Sequence, residues 1–246
     1  GMTAENVAER CAVSREAQDE WAVVSQSRAV AARDSGHYDA EIVPVTVPAH
    51  AEKDADGAEV QVAETVVTAD DGPRPGTTME VLAKLKPAFR PDGTVTAGNA
   101  CPLNDGAAAV LVMSADRAER LGLQPVARIV ASTVAAIRPE IMGLGPIPAI
   151  RTLLERTGKR IDEIDIVEIN EAFAAQIVPC KAQLGIDDEQ LNPFGGAIAL
   201  GHPFGMTGAR IMTTLINGLR TRGGRWGIES MCVAGGMGMA MLIERL

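Results

Sequence analysis

The sequence predicts an α/β protein built mainly as a layered helix–sheet–helix domain. Past Thr94, short apolar stretches alternate with Ala-rich ones at residues 107–113, 127–132, 147–157, 164–169, 231–234 and 239–243. This alternation predicts a sheet buried on both faces. The chain is long enough, at 246 residues and 46% hydrophobic, to bury such a core. Glycine clusters stand at element ends, where α/β folds build their sites.

Residues 3–32 read as helices. Ser14 is an N-cap candidate before Arg15-Glu16-Ala17-Gln18, and Trp21, Val24 and Ala29 recur near helical spacing. Gly36 ends that block. Residues 41–47 read as a short strand, which Pro44 confines to an edge because it has no N–H to donate. Between residues 48 and 76 the runs Asp54-Ala55-Asp56-Gly57 and Asp70-Asp71-Gly72-Pro73 mark turns in an exposed excursion. A boundary near Leu103 divides the chain into residues 1–103 and 104–246. No repeat is present.

The formal charge of −9 has the wrong sign for a nucleic-acid backbone or an anionic membrane surface. The apolar run at 106–113 is too short to cross a bilayer, and no signal-peptide pattern opens the chain, so the expected compartment is the cytoplasm. Cys11, Cys101, Cys180 and Cys232 form no CxxC pair and meet only three histidines, which argues against a zinc site or a disulfide framework. Each cysteine is then either a small buried hydrophobe or a reactive thiol.

Three segments carry polar or reactive side chains among glycines or after an apolar stretch: 168–174, 195–205 and 232–238. His202 stands between Gly201 and Pro203, in a tight turn that fixes an imidazole. It reads as a general base or oxyanion donor, or as a cap of the helix that follows. Cys232 precedes a glycine cluster whose bare amides favour a thiolate or an oxyanion. The alternative is a cysteine packed in a strand. Asn170 reads as a helix N-cap or as an amide that holds a water against a substrate carbonyl. Spacing leaves all three pairs of readings open.

Together the segments Asn170-Glu171-Ala172-Phe173-Ala174, Gly195-Gly196-Ala197-Ile198-Ala199-Leu200-Gly201-His202-Pro203-Phe204-Gly205 and Cys232-Val233-Ala234-Gly235-Gly236-Met237-Gly238 resemble the thiolase family. Further matches run from Gly1-Met2-Thr3-Ala4-Glu5-Asn6 through Leu103-Asn104-Asp105-Gly106 to Met142-Gly143-Leu144-Gly145. The resemblance implies the C-terminal half of the thiolase fold, at 104–246, plus most of its α/β substrate-loop domain, at 1–103. It implies an acyl-CoA C-acyltransferase working by thiolytic cleavage or Claisen condensation, with CoA and acetyl-CoA as substrates and no permanently bound cofactor.

His202 resembles the base that deprotonates the nucleophilic cysteine, Cys232 the acid/base at the α-carbon of acetyl-CoA, and Asn170 the holder of an oxyanion-hole water. Arg74, Phe89, Cys101, Leu103, Met142 and Phe173 match positions around CoA and the acyl pocket. Cys101 and Ala234 stand where relatives often carry Ser and Gly, and the Ala234 backbone keeps its donor. In thiolases the acyl-accepting cysteine lies before the stretch matched by Gly1, and none of the four cysteines matches it. The expectation is therefore a chain without the N-terminal half, inactive alone, whose missing half sits in the same or another polypeptide. Its exposed apolar face predicts a homo-oligomer, a dimer or tetramer. The competing reading is a CoA-binding or interaction module without catalysis. A ketosynthase is disfavoured because such enzymes pair two histidines with their cysteine, whereas His37 and His50 lie in polar, turn-rich sequence.

Overall fold

The computed structural model describes residues 1–233 and 235–246. Helices α1 (Met2–Arg10) and α2 (Arg15–Asp34) occupy the predicted helical block, and the Ser14 hydroxyl accepts from the Ala17 amide at 3.1 Å. Gly36 ends it with a φ of 74°, a conformation that costs glycine nothing, and one 3-10 turn (His37–Ala40) follows.

The predicted strand at 41–47 shrinks to β1 (Val45–Val47), beginning just after Pro44. It pairs antiparallel with β4 (Thr65–Val67), and between them β2 (His50–Lys53) and β3 (Glu59–Val62) form a hairpin. Asp54 Oδ1 accepts from the amides of Asp56 and Ala58, and Gly57 takes a φ of 82°. This is the turn chemistry expected of the run, and the arm is exposed along most of its length. Helix α3 (Met79–Leu82) leads into a long connection that ends at α4 (Ala115–Arg120), capped by Ser114.

Residues 107–113, expected to form a strand or a helix of the alternating pattern, form neither. They join no ladder among the described residues, and Leu111 is 80% exposed. Apolar, β-prone sequence becomes a strand only beside a neighbour that takes its N–H and C=O groups.

The main sheet contains β5 (Ala127–Ala136), β6 (Ile166–Ile169), β7 (Trp226–Val233) and β8 (Met237–Arg245), in the order β5-β8-β7-β6. β6 and β7 are parallel and the other pairs antiparallel. Helices α5 (Pro146–Thr157) and α6 (Ala174–Leu184) belong to one face of this sheet. After the short α7 (Ala197–Leu200), α8 (Thr207–Arg222) covers the other face at β6 and β7.

Alternation along β6 sends Ile166 toward Met212, Leu215 and Leu219 of α8, and Val167 and Ile169 toward Ile150, Leu153 and Ile177. Burying each such side chain stabilises the fold by ~1.5–3 kcal/mol. The predicted double burial holds at β6 and at most of β7 but fails at β5, where Val130 and Val134 are exposed because α8 does not extend over that edge. Val7, Trp21 and Leu82 join Ile150 and Ile177 in one cluster, so α1 and α2 share the core of the sheet domain. No helix among the described residues is long and apolar enough to cross a membrane.

Candidate active site

Asn170 extends the β6 ladder by one residue, donating its amide to Ser230 O at 2.9 Å. The Asn192 side chain grips the preceding residue from both sides, accepting from Ile169 N at 2.8 Å and donating to Ile169 O at 2.9 Å. Asn170 is 1% exposed, yet neither its Oδ1 nor its Nδ2 meets a partner among the described residues. The N-cap reading therefore fails: the N-cap of α6 is Phe173, with no side-chain cap. Two orphaned polar atoms in a buried amide cost a few kcal/mol unless a water or ligand satisfies them.

Cys232 sits near the end of β7, half-buried and opposite Gly238 of β8. A Cβ at Gly238 would lie 1.9 Å from the Gly145 carbonyl oxygen, so only glycine lets β8 approach the start of α5 this closely. Burial pushes the Cys232 thiol up to about 11, and the nearby Cys101 thiol adds to the shift. Desolvation outweighs the backbone hydrogen bond and favours the protonated thiol.

His202 follows Gly201, whose φ is 89°. Its amide donates to Asn104 Oδ1 at 3.1 Å, and its Nδ1 lies 2.6 Å from Thr207 Oγ1. The ring bonds the Thr207 side chain rather than capping the backbone of α8, whose N-cap is Met206 with no side-chain cap. Burial, and then the Arg210 guanidinium, lower its basicity and favour the neutral ring.

The stretch 100–104 ties these parts together. Ala100 bridges to Phe173, Cys101 N donates to Ala172 O at 3.1 Å, and Asn104 holds His202. Asn170 follows the last residue of β6, and the parallel β7 carries Cys232 at the same end of the sheet. Phe89 meets Phe173 edge-on, with ring centroids 5.9 Å apart. Met142 is half-buried in the 3-10 stretch Pro139–Leu144. Arg74 is exposed, with its amide on Gln26 Oε1 at 2.8 Å, and Leu103 is 97% exposed, so neither is a core residue. Ala234, expected to offer a backbone donor, lies outside the described residues. The two grooves of about 610 and 450 Å³ lie elsewhere, one beside Cys11, Ile141 and Val178, the other beside Val110, Ile216 and Arg220.

Sequence reasoning missed Asn104, Thr207 and the task of Glu171. The Glu171 carboxylate is 0% exposed and accepts from Trp21 Nε1, Ser25 Oγ, Asn192 Nδ2 and Ile198 N at 2.6–3.2 Å. One side chain thereby locks α2, the turn of Asn170 and the glycine loop that leads to His202. A Cβ at Gly196 would lie 2.2 Å from this carboxyl carbon, which explains the glycine there.

Residues 1–116 match the family model described as the thiolase N-terminal domain, and residues 123–245 the one described as the thiolase C-terminal domain. The chain belongs to the thiolase family.

It is 47% identical over 247 residues to the beta-ketoadipyl-CoA thiolase of Acinetobacter baylyi, covering 100% of this chain and 59% of the relative. It is 48% identical over 245 residues to the acetyl-CoA acetyltransferase of Paracoccus denitrificans, covering 100% and 60%. Among solved structures it superposes on the Bacillus anthracis acetyl-CoA acetyltransferase with a TM-score of 0.92 at 48% identity, covering 100% of this chain and 60% of that one. On human mitochondrial 3-ketoacyl-CoA thiolase in complex with CoA the TM-score is 0.88 at 41% identity, covering 100% and 58%. The α/β architecture is thus the thiolase fold, and the chain spans about three-fifths of the length of these thiolases. The expectation of a missing N-terminal half is corrected: the thiolase N-terminal domain model matches residues 1–116.

Proposed function

We propose that this chain carries the acid/base and oxyanion groups of an acyl-CoA C-acyltransferase, which cleaves 3-ketoacyl-CoA by thiolysis or condenses acetyl-CoA. The observation that carries the reading is the buried, unpartnered amide of Asn170, on a turn tied through residues 100–104 to a predominantly neutral His202 and close to a protonated Cys232. Carbon–carbon bond exchange at a thioester passes through an enolate, so donors must stand ready where that charge develops.

Asn170 holds a water that, with His202, forms the oxyanion hole. His202 takes the proton of the acyl-accepting cysteine, and Cys232 gives a proton to the α-carbon or removes one from it. Arg74, Phe89, Cys101, Leu103, Met142 and Phe173 serve CoA and the acyl chain, and the Ala234 backbone is a further donor. CoA and acyl-CoA enter as substrates and no cofactor stays bound. Among the described residues no cysteine is hydrogen-bonded to an imidazole: Cys180 Sγ donates to Gly143 O, and the His202 ring is engaged by Thr207. We divide the chain at 103/104 into a CoA-binding loop part and a catalytic part. We also propose a homo-oligomer, supported by the exposed Leu103, Leu111 and Val134, and a cytoplasmic setting, supported by four free thiols.

The test is thiolysis of acetoacetyl-CoA, measured with the chain alone and with the chain joined to the remaining two-fifths of a related thiolase. In the joined enzyme His202→Ala and Cys232→Ala each lower turnover by ~10²–10⁴-fold. A residual rate within about tenfold of the parent removes that residue from the list. Turnover by the chain alone places the nucleophile within it. The lack of an imidazole-paired cysteine favours a second reading, a CoA-binding module, and CoA binding that survives while the joined enzyme stays inert selects it.

A further inference from the structure

Thr207 Oγ1 has one proton and two close neighbours, Pro203 O at 2.9 Å and His202 Nδ1 at 2.6 Å. The carbonyl has no proton to give, so the 2.9 Å contact is a hydrogen bond only if the hydroxyl donates. Otherwise two oxygen lone pairs would face each other. Threonine hydroxyls donate in this way to the carbonyl four residues back. With its proton committed, Oγ1 can only accept from the ring. Thr207 is 0% exposed, so bulk water does not compete for the hydroxyl.

We infer that Thr207 is a positioning residue that sets the tautomer of His202, holding the proton on Nδ1 and leaving the lone pair on Nε2. The inference rests on the reading of His202 as the base and adds which nitrogen performs that task. A base that receives its proton at Nε2 keeps its Nδ1–H bond to Thr207 before and after the transfer, so the ring does not have to turn during the reaction. Asn104 holds the His202 backbone, and the Phe204 ring stands edge-on 5.0 Å from the imidazole. With backbone, Nδ1 and one ring edge engaged, Nε2 is the nitrogen left for chemistry.

The test is NMR of the chain labelled with ¹⁵N-histidine. Only His37, His50 and His202 are present, and His202→Ala assigns the third set of signals. Above the ring's titration, the parent shows a protonated Nδ1 and an unprotonated Nε2 at His202. Thr207→Ser keeps that pattern because the hydroxyl remains, and Thr207→Val inverts the ratio of the two tautomers. A parent with its proton on Nε2 overturns the inference without any variant, and so does a folded Thr207→Val chain with an unchanged ratio. The spectra need no turnover, so they separate this inference from the proposed function. Full activity of His202→Ala in the joined enzyme would end the role as base while leaving the tautomer as measured.

Discussion

Replacing Glu229 by glutamine stabilises the protein at alkaline pH. Glu229 and Glu168 are register partners on the parallel strands β7 and β6 and both are buried. Glu229 Oε2 and Glu168 Oε1 meet no partner among the described residues. Burial pushes Glu168 to about 8 and Glu229 to about 7, against the pull of Arg210 on α8, while Glu171 and Glu41 add like charge to Glu168. Neighbouring carboxyls in a dry interior titrate as a pair, because a charge on one disfavours a charge on the other.

A carboxyl whose folded value exceeds its unfolded one favours folding below the unfolded value, near 4.5, and loses that contribution as pH rises through about 7. At ~1.4 kcal/mol per tenfold change in protonation, Glu229 accounts for roughly 3 kcal/mol. Glutamine keeps the volume and removes the titration. Urea unfolding followed by Trp21 and Trp226 fluorescence, at about pH 5, 6.5 and 8, reads the effect. The stability advantage of Glu229→Gln over the parent grows by roughly 2–3 kcal/mol across that range. Parallel pH profiles, or a parent that gains on the variant as pH rises, refute the reasoning.

Glu171→Ala strips four buried donors of their common acceptor and lowers unfolding free energy by roughly 3–5 kcal/mol in the same urea assay, where a loss below about 1 kcal/mol would show the clamp to be incidental. Gly238→Ala drives a Cβ against the backbone of Gly145 and lowers stability by roughly 1–3 kcal/mol, while Gly205→Ala, with open space around it, stays within about 0.5 kcal/mol. Leu111→Lys puts charge on an exposed apolar segment. It reduces self-association in sedimentation velocity while leaving stability within about 0.5 kcal/mol.

Much of this fold was legible because its signals are local. Ser14 caps a helix three residues from its acceptor's partner, Gly36 supplies a left-handed turn, and the Asp54–Gly57 chemistry closes within five residues. The stretch 107–113 was not legible as irregular, because a strand exists only with a partner that composition does not name. The same limit held at the site. His202, Cys232 and Asn170 stood out as residue types in glycine-rich or strand-end settings. What holds them is distant: Asn104 lies 98 residues from His202, and Ser25 lies 146 residues from Glu171.

Thr207 is the exception, five residues past His202 in the opening turn of a helix. Counting the single proton of a threonine that back-bonds to Pro203 would have found it from local rules. The long-range ties have a physical consequence for assembly. Trp21 and Ser25 of α2 satisfy the carboxylate beside Asn170, and Asn104 satisfies the backbone of His202. Both turns thus draw part of their hydrogen bonding from α2 and from Asn104, so the site depends on the packing of these segments and not on the sheet alone.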